Sequence, residues 1–200
     1  SCCLPASASG SNLSTRPSEQ PDHATRAVSC ALALDEYAQS CRQHWRQKGV
    51  ALGATRIGAH AGSAIVGNFG SGRFFEYTAH GDTINTAARL EAANKHFGTR
   101  ICASATLAAR VPNFRGRPIG DLVLRGKTEA MRSFEPLRAE QFDGPATDSF
   151  LKAFALLEAD DPKAIAAFAA HVGRWADDQL ASFHLKRLLN GATGTRIELE

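Results

Sequence analysis

No stretch of the sequence approaches the roughly 20 consecutive apolar residues that a membrane-crossing helix needs, although 44% of its 200 residues are hydrophobic. A secretory leader pattern is missing too. Cysteine is scarce: Cys2, Cys3, Cys30, Cys41 and Cys102 make five, an odd number with no CxxC. This argues against a disulfide framework or zinc site and fits a reducing compartment. Charge of one sign is also lacking. The net charge is +3, without a Lys/Arg run or aromatic–basic interleaving, so nothing points to nucleic acid. Residues 1–20 contain no Asp, and Glu19 is their sole acidic residue. What remains is an ordinary globular composition, with 22% charged residues, and global disorder is excluded. The length suits one medium domain, or a small domain with an appendage. The chain starts without Met and reads as a fragment.

Residues 1–20 are rich in Ser, Ala and Pro and read as a disordered or non-homologous leader. From Asp22 to about Gln47, Ala27, Cys30, Ala31, Leu34, Tyr37, Ala38, Cys41 and Trp45 recur at helical steps. Asp22 is the expected cap and Gly49 the stop. Ala54–His60, Ser63–Asn68 and Arg73–Thr78 read as strands, with Gly67, Gly70 and Gly72 as turn glycines. Asp82 is predicted to cap a helix running to about His96, closed by Gly98. On it Ile84, Ala87, Ala88 and Glu91 fall near one stripe and Asn85 and Arg89 on another. Arg100–Ala103 reads as a strand followed by a short helix. Pro118–Leu124 and Met131–Leu137 read as a hairpin turning at Gly126. After Asp143-Gly144-Pro145 the pattern is helical to about Asn190, with Phe150, Phe154 and Leu157 on one stripe and Ile165, Phe168 and Val172 on the next.

Four segments, RIGAHAG (56–62), VGNFGS (66–71), EYTAHGDTINTAARLEAANK (76–95) and LRGK (124–127), resemble class III adenylate/guanylate cyclase catalytic domains in order and spacing. The resemblance covers Pro21 to Leu137. It implies an α/β fold: an α+β sandwich of the ferredoxin-like cyclase type, N-terminally incomplete, with a small all-helical C-terminal appendage. The expected division is a leader at 1–20, a partial nucleotidyl cyclase domain at 21–140 and a helical tail at 145–190. That tail resembles the tetratricopeptide-type helices appended to some bacterial cyclases.

Cyclases drive the ribose 3′-oxygen onto the α-phosphate of a nucleoside triphosphate, releasing pyrophosphate. Asn85 and Arg89, spaced i and i+4, project from one helix face. An amide and a guanidinium there suit ribose and phosphate oxygens. The plain alternative is a solvated helix face. In the resembling family the matching Asn positions the ribose and the matching Arg stabilises the transition state. Thr78 falls at the family's base-reading position, where a hydroxyl can meet adenine's edge, so the resemblance favours ATP. Lys127 matches the lysine that meets the triphosphate, with Arg125 as a competitor. The glycines at 67, 70 and 72 lack a following GK[ST], so a P-loop is rejected. His60, His80 and His96 lack metal-ligand spacing and read as structural.

The resemblance also implies Mg or Mn, ATP as ligand and a site shared across a homodimer or a heterodimer with another cyclase chain. The family's two metal-binding aspartates lie upstream of the first helix, and so does the lysine that helps read adenine. Residues 1–20 do not resemble that region, so no metal ligand is assigned. The missing strand is expected to leave a sheet edge and an apolar face open. Three readings follow: an adenylate cyclase domain in cyclic-nucleotide signalling, inactive as this chain alone; a pseudo-cyclase lending Asn85 and Arg89 to another chain; or a helical interaction module. The expected location is cytoplasmic, with membrane anchoring of the complete protein left open.

Overall fold

The structure, a computed structural model, describes residues 20–71 and 73–199. The expected leader therefore lies outside the described residues, apart from residue 20, and so does Gly72. Helix α1 (His23–Gln47) buries Ala24, Val28 and Ala31, spaced to share one face. Asp22 sits at its N-cap but makes no side-chain capping bond. The expected apolar stripe is used only in the first two turns, because Leu34, Tyr37 and Trp45 further along are exposed.

Strand β1 (Ile57–Ala59) leads to a separate antiparallel hairpin of β2 (Ile65–Ser71) and β3 (Phe74–His80). Gly67 and Gly70 lie within β2, opposite Thr78 and Phe75, and so are strand residues rather than turn glycines. Helix α2 (Asp82–Phe97) follows, then β4 (Ile101–Ser104) and the short α3 (Ala105–Ala108). Gly98 closes α2 at φ 70, the left-handed cap that glycine accepts without penalty. The N-cap of α2 is Gly81, and Asp82 is its first helical residue, which corrects the expected cap. The buried stripe of α2 is also different from the one expected: it is Thr83, Thr86, Leu90, Ala93, Asn94 and Phe97.

Strands β5 (Gly116–Val123) and β6 (Met131–Pro136) form the expected hairpin, turning through Gly126 at φ 71. Then come α4 (Ala139–Phe142), α5 (Pro145–Glu158), α6 (Lys163–Arg174), α7 (Gln179–Leu189) and β7 (Arg196–Glu198). The main sheet runs β1-β4-β6-β5-β7. The β1–β4 and β5–β7 pairs are parallel, the other two antiparallel. Strand β1 is one edge of this sheet and β7 the other.

Alternation along β4 separates two cores. Ile101 and Ala103 join clusters with α1 residues, whereas Cys102 joins the large cluster on the other side. That large cluster unites Leu90 and Phe97 of α2, Ile119 and Leu122 of β5, Phe150, Phe154, Phe168 and Leu180 of the helical tail, and Ile197 of β7. The expected helical C-terminal part is present, and it shares the core of the sheet. Its apolar stripes cover one face of the sheet, and β7, absent from the sequence reading, extends that sheet. Burial pushes the Cys102 thiol up to about 12, so it is inert at neutral pH.

Alpha2 is pinned closely to β1. A Cβ on Gly58 would lie 2.0 Å from the Ala87 carbonyl oxygen, so only glycine lets the two backbones approach this far. Buried Asn94 donates to the Ile57 carbonyl at 3.1 Å and accepts from Thr99 at 2.7 Å. This satisfies its amide and fixes the angle at which α2 leaves the sheet.

Candidate functional site

The first turn of α2 and the β5–β6 turn meet. Asp82 Oδ2 accepts from Lys127 Nζ at 2.6 Å and from Thr86 Oγ1 at 3.5 Å. The Lys127 hydrogen bond holds the Asp82 carboxyl below the usual carboxylate range, with the charge of Arg89 adding to the effect. An acidic residue in a helix's first turn is also favoured by the peptide dipoles. Arg89 lies two turns along α2. Its Nη2 is 3.7 Å from the point a Cβ on Gly126 would occupy, so the guanidinium faces the same turn as Lys127. It is half-buried and has no carboxylate partner among the described residues. Asn85, one turn before it, is exposed.

Thr78 is half-buried on β3, opposite Gly67. It belongs to the two-stranded sheet, not to the α2–hairpin junction. The structure therefore brings Arg89 and Lys127 together, keeps Asn85 on their helix and leaves Thr78 on a neighbouring element. The Asp82–Lys127 pair escaped sequence reading because its partners are 45 positions apart and no pattern links them. Arg125, the competitor to Lys127, is exposed.

His60 lies at the border of this region. Its Nδ1 is 2.8 Å from Ser104 Oγ and 3.2 Å from Thr106 Oγ1. Burial lowers its pKa, the Asp82 charge opposes that shift, and Lys127 and Arg110 reinforce it. A cleft of about 290 Å³ lies elsewhere, between α1 and the end of β6. Its arginines are already paired: Arg100 with Asp35, Arg117 with Glu135 and Arg138 with Glu36. None of the four predicted site residues lines it.

The junction does not fit a divalent cation. Its carboxylate, Asp82, is taken up by an ammonium with a guanidinium nearby, and hard cations need several oxygen ligands. Among the described residues no three His, Cys, Asp or Glu side chains cluster as ligands would. The donors fit an anion instead.

A sequence profile described as "Adenylate and Guanylate cyclase catalytic domain" matches residues 7–135. The chain belongs to this family. The match reaches into the segment that sequence reading set apart as leader. Adenylate cyclase 1 of Rhizobium meliloti (strain 1021) is 38% identical over 114 residues, covering 56% of this chain and 17% of the relative. The chain thus spans about a sixth of that relative's length. The crystal structure of the adenylyl cyclase CyaB from P. aeruginosa superposes with a TM-score of 0.54 and 25% identity, covering 62% of this chain and 63% of that one. The guanylyl cyclase Cya2 shares the fold at a TM-score of 0.53 and 23% identity, over 64% and 66% of the two chains. The family uses Mg or Mn and acts as dimers that bind a nucleoside triphosphate. Among the described residues no helix is long and apolar enough to cross a membrane.

Proposed function

We propose that this chain supplies the transition-state half of an adenylate cyclase site, completed across a dimer interface by metal-holding residues of another chain. The observation that carries this reading is Arg89: a half-buried guanidinium without a carboxylate partner among the described residues, turned toward the Lys127 loop. Fully buried arginines are ordinarily paired, and an anionic ligand that covered Arg89 would supply its partner. In this reading Asn85 holds the ribose and Arg89 offsets charge developing on the α-phosphate. Lys127 exchanges Asp82 for the triphosphate, and Thr78 meets the adenine edge. Thr78 and the likeness to an adenylate cyclase of Rhizobium meliloti favour ATP over GTP. The product is cyclic AMP, with pyrophosphate released.

A second reading, the pseudo-cyclase that lends its residues to a different chain, draws on the same donor set and on the poor fit of the junction to a metal. The interaction-module reading has less support, because α5–α7 spend their apolar stripes on the domain's own core.

One mixing experiment tests the proposal. The chain alone, with ATP and either Mg or Mn, is expected to make no detectable cyclic AMP. Mixed with a complete homologous cyclase whose matching Asn and Arg have been replaced by Ala, it is expected to restore turnover. Arg89→Ala in this chain should then abolish the restored activity, a loss of about 100-fold or more for a transition-state donor. Turnover by the isolated chain, or rescue that survives Arg89→Ala, overturns the proposal.

A further inference from the structure

A chain of buried polar contacts ties the tail to the site hairpin. Arg117 on β5 donates through Nε to Glu135 of β6 at 2.7 Å and through Nη2 to Asp178 Oδ1 at 3.0 Å. Its Nη1 bonds the other oxygen of Asp178, giving the fork geometry that arginine favours. Its guanidinium lies over the Phe150 ring, 4.6 Å from the centroid. Asp178 is also the N-cap of α7, accepting from the Ala181 amide at 3.1 Å. His171 Nε2 lies 3.0 Å from Asp178, and His171 Nδ1 lies 3.1 Å from Ser149 Oγ. Burial works against the Asp178 carboxylate, but Arg117, the Ala181 amide and His171 together more than offset it, so the acid stays below the usual range.

The other side of α7 rests on α2. Phe183 meets Phe97 edge-on, with centroids 5.0 Å apart. Gln179 fills the space beside Gly98, where a Cβ would come within 2.3 Å of it. Alpha7 therefore stands between the two elements that carry Arg89 and Lys127, clamped to one by Asp178 and packed on the other through Phe183. Neither residue reaches the junction itself.

We propose that Asp178 is a positioning residue: it seats α7 as a brace between α2 and the β5–β6 hairpin, and so sets the gap across which Arg89 and Lys127 receive the phosphates of a nucleoside triphosphate. This rests on the reading of Arg89 and Lys127 given above. A brace of this kind acts on the phosphate end of the ligand. The base end, at Thr78 on the separate β2–β3 sheet, is outside its reach.

The test uses the full chain and Asp178→Asn. Asparagine caps a helix about as well as aspartate and keeps the shape, but removes the charge facing Arg117. With helical content unchanged by circular dichroism, ATP affinity is expected to fall about tenfold and adenosine affinity to stay as in the parent. Hydrogen exchange at amides 124–128 should speed up. Unchanged ATP affinity, or equal losses for ATP and adenosine, would overturn the proposal. If the parent chain binds neither ligand, alone or mixed with the complete homologous cyclase of the test above, the site reading fails by itself. The brace then stands or falls on exchange at 124–128, and unchanged exchange sinks it. Should Asp178→Asn fail to fold, Phe183→Leu loosens the opposite end of the brace and carries the same readouts.

Discussion

Two buried histidines in the tail show how far environment decides what a side chain does. His171 has both ring nitrogens within hydrogen-bond distance of Asp178 and Ser149. His184 is fully buried among Phe150, Phe154, Phe168 and Phe183, and among the described residues neither ring nitrogen makes a hydrogen bond of normal geometry, the Ile119 backbone being the polar group that acts on it. Burial, helped by the Arg187 charge, pushes its pKa from 6.5 down to about 3. The folded protein therefore holds His184 neutral while the unfolded chain takes up a proton below pH 6.5. The unfolded state binds more protons there, so stability falls as pH falls. The contribution is fully present above pH 6.5 and is lost progressively toward pH 3, at a limiting slope of about 1.4 kcal/mol per unit. Chemical denaturation between pH 7.5 and 4.5 should show this loss. In His184→Leu the slope should be smaller, and stability at neutral pH should rise by about 1–3 kcal/mol as an unpaired buried polar group is removed. An unchanged slope in the variant would assign the pH dependence elsewhere.

Among the elements, α2 connects fold to chemistry most directly. One side of it carries Asp82, Asn85 and Arg89, and the other is set on β1 by Gly58 and Asn94. Gly58→Ala forces a methyl into the Ala87 carbonyl, and the strand cannot move away without breaking its pairing with β4. The expected cost is about 3 kcal/mol, at the upper end for overpacking, read as a lower denaturation midpoint with an unchanged denaturant slope. A loss under about 0.5 kcal/mol, the range of an ordinary surface substitution, would show that the contact relaxes. Much of this element was legible in the sequence: the Gly98 stop and the Asn85–Arg89 spacing stand out in the order of residues. Its buried face was not. Thr83 and Asn94 are polar and are buried because each finds a backbone partner that only the folded chain provides, the Ser63 carbonyl for Thr83 and the Ile57 carbonyl for Asn94, while Thr86 donates to Asp82 on its own helix. A pattern of apolar residues selects Ile84 and Ala88 instead. The Asp82–Lys127 pair was hidden for the same reason: it arises where two elements meet, not along either.

For the molecule as a whole, the decisive difference between sequence and structure is the place of the tail. Its helices were legible from Phe150, Phe154 and Phe168, but a stripe does not say what it packs against. A three-residue strand such as β7 carries too little alternation to be read at all. The consequence is testable by ending the chain at residue 144. This uncovers Leu90, Phe97, Ile119 and Leu122 and leaves β5 as a bare edge, both of which favour aggregation. The shortened chain is expected to lose its cooperative unfolding transition by circular dichroism and to elute as aggregate in gel filtration. A cooperatively folded, unaggregated 1–144 would show that the tail is separable after all. Single changes in this core should be milder: Phe168→Ala is expected to cost about 3–5 kcal/mol, measured by denaturant unfolding.

The parallel pairing of β7 with β5 also has a consequence in time. Asp121 pairs with Arg196 across the whole helical tail, a contact between positions far apart in the chain. Such contacts form late, since the intervening loop must close before the pairing gains anything. During synthesis the hairpin carrying Lys127 leaves the ribosome long before the strand that flanks it. For that interval the nascent domain would carry Arg89 and Lys127 on an unfinished sheet. Strand β7, which carries none of the proposed site residues, would set the moment at which the sheet beneath them is complete.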